Sequence, residues 1–442
     1  MIHLPFSKNR RYLTGIDWIV HAFDYMNKRA TGAGNMSQIV LELDGAPPED
    51  EFRQRLTRFI KKYPVVNGQP ARDYNLAPYW KIPSQGQRPP LSFDISRLDN
   101  NAGREDVFAR LARGVNAPFK SAREHLAFHL VYAGKKGFVA MTFDHRLFDA
   151  RGAEAFLGLF QQELEGNGES SAGISLAEPP HLCRWREKFR AGQQVNRAFL
   201  KLGEKAPPRI LPIPSSLHNR GFSFKIIPFD KAQTAKIVDS AYDEAGYLLL
   251  MPYMLGVAMN VLHGIFTDRN ICTGDYVISV SIDTRPPEKV RQEIFFNHLS
   301  FFLFLIQGHE ADSFPALLSS IKRQLYDQVK SGLPRDIEEA SALMRIAPLP
   351  ILSHLMRLHL KGQIASFCFS YVGEAAYTCP SFIKNKVHNI FHMPRVPVPP
   401  GLGIFFHQSH GKLSAVLSFA AGMLSDDEVN TIVHGLESWL GV

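Results

Sequence analysis

The chain has 442 residues, a length that suits two domains or one large two-lobed unit. Hydrophobic residues make up 45% and charged residues 21%, enough for a full core and not the profile of a disordered chain. The net charge of +8 fits anionic small substrates such as phosphate-bearing carriers, and without a block of five or six Lys/Arg it gives no support to nucleic-acid binding.

In chain order, residues 36–45 ("MSQIVLELDG") read as a strand ending at a turn. Residues 48–64 place Phe52, Leu56, Phe59 and Ile60 at helical spacing, with acids early and bases late as the helix dipole favours. "PYWKIP" and "LSFDIS" read as short strands, and residues 104–116 as a helix. Residues 126–134 and 137–145 form a hairpin through "AGKKG", followed by a helix over 152–164.

A Gly-, Ser- and Pro-rich break follows at 165–180, and a Pro-rich one at 204–216, with a basic helix (184–202) between them. These breaks divide the chain into an N-terminal lobe (1–175), a linker region (176–218) and a C-terminal lobe (219–442).

The second half opens with the strand "GFSFKIIPF" and a helix capped by Asp230. Residues 245–267 carry no formal charge and are long enough to cross a bilayer, but Pro252, Asn260, His263 and three glycines favour a buried core helix. Strands follow at "DYVISVSIDTR" and "NHLSFFLFLI", then helices over 313–332 and 350–362. "IASFCFSYVG" and "KLSAVLSFAAG" read as strands, and Ser425 caps a terminal helix. None of the four cysteines forms a CxxC, and no His/Cys spacing marks a metal site, which predicts reduced thiols in a cytoplasmic protein and no metal. The N-terminus lacks the apolar core of a signal peptide.

Chemistry concentrates in "TFDHRLFDARGAEAFLGLF", residues 142–160. His145 falls at the C-terminal end of an apolar strand, where α/β proteins place their ligands, and a helix packs back after it. A rigidly held imidazole there suits a general base, since its ordinary pKa is about 6.5. The alternative is a structural histidine, one of 17 in the chain.

"DHRLFDARG" resembles the HxxxD motif of the CoA-dependent acyltransferase superfamily, which includes chloramphenicol acetyltransferase and the condensation domains of nonribosomal peptide synthesis. The resemblance extends beyond the motif. "RLTRFIKKYPVVNGQP" and the run from "NAPF" through "FQQEL" match the family's first half, while "VISVSIDTRPPE", "FFNHLSFFLF" and "FCFSYVGEA" match its second half in order. The pattern is nearest to the bacterial wax ester synthase and alcohol acyltransferase relatives. Two positions depart from condensation domains: Asp144 stands where their first motif histidine would be, and Ala150 where their glycine would be.

The resemblance implies a two-lobed α/β fold of the chloramphenicol acetyltransferase type, each lobe a mixed sheet with helices, and an active-site tunnel between them. It implies His145 as general base, and Asp149 pointing away from the cleft to pair with Arg285. The plainer role for Asp149 is to cap the helix after it. Asn297 matches the family's second-half asparagine, lining the site or bracing the strand. Ser370 and Tyr371 either bring a hydroxyl to the cleft or pack in the core, and Asp144 either faces the acceptor or lies exposed. The implied donor is acyl-CoA, consumed as co-substrate with no tightly bound cofactor, and the implied acceptor a small-molecule hydroxyl or amine. The alternatives are a stand-alone condensation-type domain fed by an acyl carrier protein, and a non-catalytic binding member.

Overall fold

The computed structural model describes residues 9–84, 89–99, 101–165, 176, 184–204 and 206–441. The expected boundary at 175, and most of the Gly/Ser-rich break around it, lie outside these residues.

Two six-stranded sheets form the lobes. The first runs, in spatial order, Ser381–Phe382, Asn385–Pro394, Met36–Leu43, Lys136–Asp144, Leu126–Ala133 and Ser92–Leu98. The second runs Leu299–Ile306, Tyr276–Asp283, Phe367–Glu374, Leu402–Ser409, Lys412–Ala420 and Phe222–Pro228. Both mix parallel and antiparallel pairs, so the two-lobed α/β architecture expected from the sequence is the observed one.

The expected hairpin is present, with Ala133 paired to Lys136 across a tight turn where Gly134 takes φ +58°. All nine residues of Lys136–Asp144 except Lys136 are buried, as a central strand requires. The helix Ala150–Leu164 then returns over the sheet, packing Phe156 and Phe160 against Phe59 and Phe52 of the helix Glu49–Lys61. The helix Leu250–Asp268, uncharged but for its last residue, buries most of Pro252–Phe266 within the second lobe's core beside Phe314 and Ile321. Its burial accounts for a composition that would also suit a bilayer.

A strand of the second half crosses to the first sheet. Asn385–Pro394 leaves the C-terminal lobe expected over 219–442 and pairs antiparallel with Met36–Leu43 in the first sheet. Met36–Leu43 has every residue buried; without this strand it would be an apolar sheet edge with unpaired backbone groups. A third apolar cluster joins the sheets, with Val40, Phe138, Phe391 and Met393 of the first packed on Ile226 and Val416 of the second.

Candidate active site

The first lobe's central strand ends at Asp144, and its chain then turns through His145 to Asp149 before entering the helix Ala150–Leu164. This turn meets the second lobe directly. Phe148 pairs with Phe296, the Phe296 N–H donates to the Leu147 carbonyl at 2.6 Å, and Asn297 follows. Gly152 allows the approach, because a Cβ at that position would lie 2.1 Å from the Ile294 carbonyl oxygen.

His145 is clamped by its backbone from both sides. Its N–H donates to the Asn35 carbonyl at 3.0 Å. Its carbonyl accepts from Asn297 Nδ2 at 2.9 Å. The residue stays half-buried, and its ring lies edge-on to Phe143 with centroids 5.5 Å apart. Burial lowers the imidazole pKa; Asp149 and Asp144 oppose this, His392 adds to it, and a hydrogen bond with the Phe148 backbone raises it, leaving the net below the ordinary value. The ring is therefore neutral near pH 7.

Asp149 both pins and caps. Its Oδ1 accepts from Arg285 Nη2 and from Gly152 N–H, each at 2.8 Å, and its Oδ2 accepts from His298 N–H at 3.1 Å. The two readings of this residue are therefore compatible, since one carboxylate has lone pairs for both partners. Arg285 also holds Asp283 through Nε at 2.9 Å and Nη2 at 3.0 Å, and donates from Nη1 to the Glu293 carbonyl. Burial alone would lower its pKa, but Asp149 and Asp283 outweigh that and hold it above its usual value.

Asp144, expected to face the acceptor or lie exposed, does neither. It is 1% exposed. His125 Nδ1 contacts its Oδ2 at 2.9 Å, and Arg146 donates to the same oxygen through Nη2 at 2.6 Å. Although burial pushes its pKa up, Arg146 and then His125 prevail and hold the carboxyl well below its usual range. No lone pair is left to meet an acceptor's cation. Ser370 is half-buried, with its Oγ donating to or accepting from Ser281 Oγ at 3.1 Å between adjacent strands. Tyr371 is half-buried beside it, its phenol pushed up to about 12 by burial and then by Glu374. Cavities of about 200 Å³ (Thr57, Ile60, Val66, Leu91, Leu126) and about 140 Å³ (Leu202, Asp275, Val277, Leu305) do not include His145.

The bracing of the turn comes from an element the sequence reading passed over, the helix Gly15–Thr31. Asp17 of this helix accepts from the Asn297 N–H at 3.0 Å, placing the side chain that holds His145. Asp24 accepts from the Asn35 N–H at 3.0 Å and ion-pairs Arg146 at 3.4 Å. His21, between them, is held to about 4, first by burial and then by Arg146. Asp17, His21, Asp24 and Asn27 recur at spacings of three and four, and all four are buried. That recurrence was the available signal, one polar helix face turned inward.

No profile of a known family matches the chain, and no curated protein sequence matches it. Solved structures do. A trichothecene 15-O-acetyltransferase from Fusarium sporotrichioides superposes with a TM-score of 0.71 at 12% identity, over 98% of this chain and 95% of that one. The first condensation domain of the calcium-dependent antibiotic synthetase, in complex with a substrate analogue, gives 0.69 at 13% identity over 98% and 96%. The EpoB cyclization-docking bidomain from Sorangium cellulosum gives 0.65 at 13% identity over 99% and 86%. The chain therefore has the two-lobed fold shared by chloramphenicol acetyltransferase-type acyltransferases and condensation domains.

Proposed function

We propose that the protein is an acyltransferase that moves an acyl group from a thioester, acyl-CoA in the first instance, to a hydroxyl or amine acceptor. The observation that carries this is the contrast within one turn: His145 is half-buried, with a fixed backbone and a ring whose pKa burial keeps below the ordinary value, while Asp149 is spent on Arg285. His145 takes the acceptor's proton as its oxygen or nitrogen attacks the thioester carbonyl. When the tetrahedral intermediate collapses, the C–S bond breaks and the imidazolium returns that proton to the departing thiolate. General-base catalysis supplies about 10²–10⁴ of the acceleration, and the rest comes from holding both substrates in place. The thioester is consumed as co-substrate, and the reaction needs no bound cofactor. The surplus of +8 favours both the phosphates of CoA and an acidic carrier protein.

The second reading, a carrier-fed condensation-type domain, draws on the similarity to solved condensation domains. Asp144 counts against it, because a buried carboxylate paired to Arg146 stands at the position of their first histidine. A panel of acyl-CoA and acyl-carrier thioesters, tested with alcohol and amine acceptors and monitored by free thiol, separates the readings. The proposal expects thiol release from acyl-CoA that depends on acceptor and disappears in His145→Ala. Release from carrier thioesters alone would select the second reading, and no release from any donor would leave a binding protein.

A further inference from the structure

Three segments far apart in sequence converge behind the motif helix: Glu154 on Ala150–Leu164, His392 on the first sheet's strand Asn385–Pro394, and His407 on the second sheet's strand Leu402–Ser409. Glu154 Oε1 lies 2.6 Å from His392 Nε2 and 2.8 Å from His407 Nε2. The three donor atoms all lie within 4.8 Å of one another. The side chains are 0%, 7% and 4% exposed in that order. Glu154 Oε2 accepts from the Ala376 N–H at 2.5 Å, which fixes the orientation of the carboxylate.

We propose that Glu154, His392 and His407 bind one divalent transition-metal ion of the zinc class, pinning the two lobes together behind His145. Two imidazoles and one carboxylate are the donor set that such ions prefer, and three protein ligands leave a position for water. Charge supports the assignment. Among the described residues, the ion pairs of Glu154 are with these two imidazoles and with no Lys or Arg. A buried carboxylate without a Lys or Arg partner leaves one negative charge to be balanced by a proton or by a cation. The present spacing is that of ring N–H groups donating to a carboxylate. Admitting an ion shifts each ring's proton to Nδ1 and spreads the donors slightly, to metal–ligand distances of about 2.0–2.2 Å. The ion takes no step in acyl transfer, so this inference stands apart from the proposed activity.

The test uses the untagged full chain, stripped with a chelator and loaded by slow incubation because the site is buried. Titration with Co²⁺ is expected to reach one equivalent per chain, with visible ligand-field absorption that Zn²⁺ abolishes. The thermal midpoint is expected to rise with excess Zn²⁺, as for any ligand that binds the folded state alone. Glu154→Gln and His407→Ala, checked for folding by circular dichroism, are expected to weaken Co²⁺ binding by at least about 10–100-fold, the cost of losing even an outer-shell partner. Should either variant fail to fold, the wild-type titration with Zn²⁺ competition decides alone. Absence of a saturable Co²⁺ signal, or one-equivalent binding unchanged in both folded variants, would overturn the site and leave a hydrogen-bonded carboxylate–imidazole bridge.

Discussion

His145 follows, and His392 lies on, the two strands that flank Met36–Leu43, and burial lowers the pKa of both rings. Their partners differ. His392 spends Nε2 on Glu154 at 2.6 Å and is almost fully enclosed. His145 makes its firm contacts through the backbone, while the nearby carboxylate of Asp149 is turned onto Arg285. A ring held by a buried carboxylate is a strut, whereas a ring whose partner is the Phe148 backbone keeps no carboxylate of its own to hold its proton. The surroundings of the ring, more than its burial, separate the two roles.

The largest break in this comparison comes from His145→Ala. It is expected to lower turnover by about 10²–10⁴-fold and to leave the urea-unfolding free energy within about 1 kcal/mol, because the residue is half-buried and the backbone bonds remain. Residual turnover near wild type with lost stability would make His145 the strut. The next effect is reversed in kind. Asp149→Ala or Arg285→Ala removes one partner of a pair whose side chains are 3% and 1% exposed, and is expected to cost about 3–5 kcal/mol in the same unfolding measurement. Two stable, inactive variants would instead put Asp149 and Arg285 in the chemistry.

What was legible in the sequence follows the range of the interactions. The hairpin and motif helix could be read because their periodicities are local, and Asp149–Arg285 because the resemblance named both ends, 136 residues apart. The helix Gly15–Thr31 escaped because Asp17, His21, Asp24 and Asn27 read as a wet face, and nothing local says that Arg11, Asn297 and Arg146 come to meet them. His392 and His407 escaped for a related reason: they lie 238 and 253 residues from Glu154, so no spacing rule for metal ligands applies. Asp144 is enclosed by Arg146, its neighbour in the turn, together with His125, which comes from beyond the other end of the hairpin and gives no local signal.

Asn297 sharpens the comparison at a smaller scale. Asn297→Ala removes the donor to the buried-side carbonyl of His145 and is expected to cost about 1–3 kcal/mol of stability. Activity should fall with kcat affected more than KM, since the ring shifts while the substrate surfaces remain. A variant with unchanged kcat would show that the Asn35 contact alone fixes the turn.

The smallest effect is a displacement along the pH axis, and its sign follows from the causes acting on His145. Burial lowers the pKa, Asp149 and Asp144 raise it, His392 lowers it and the Phe148 backbone raises it, with a net value below that of a free histidine. The base works unprotonated, so kcat should stay flat as pH falls through about 6.5, the ordinary value, and decline only at lower pH. The same shift has an opposite face in stability. Between the folded and the ordinary pKa the unfolded chain binds the proton that the folded chain refuses, so acidification through that window destabilises the fold. His21, held to about 4, adds to the loss over about pH 6.5 to 4. Measured together, the kcat limb and the unfolding midpoint should begin to fall at different pH, stability first. A kcat limb at or above 6.5 would mean that the Asp149 and Asp144 charges dominate at the ring, and that His145 is closer in kind to a carboxylate-paired strut than to a free base.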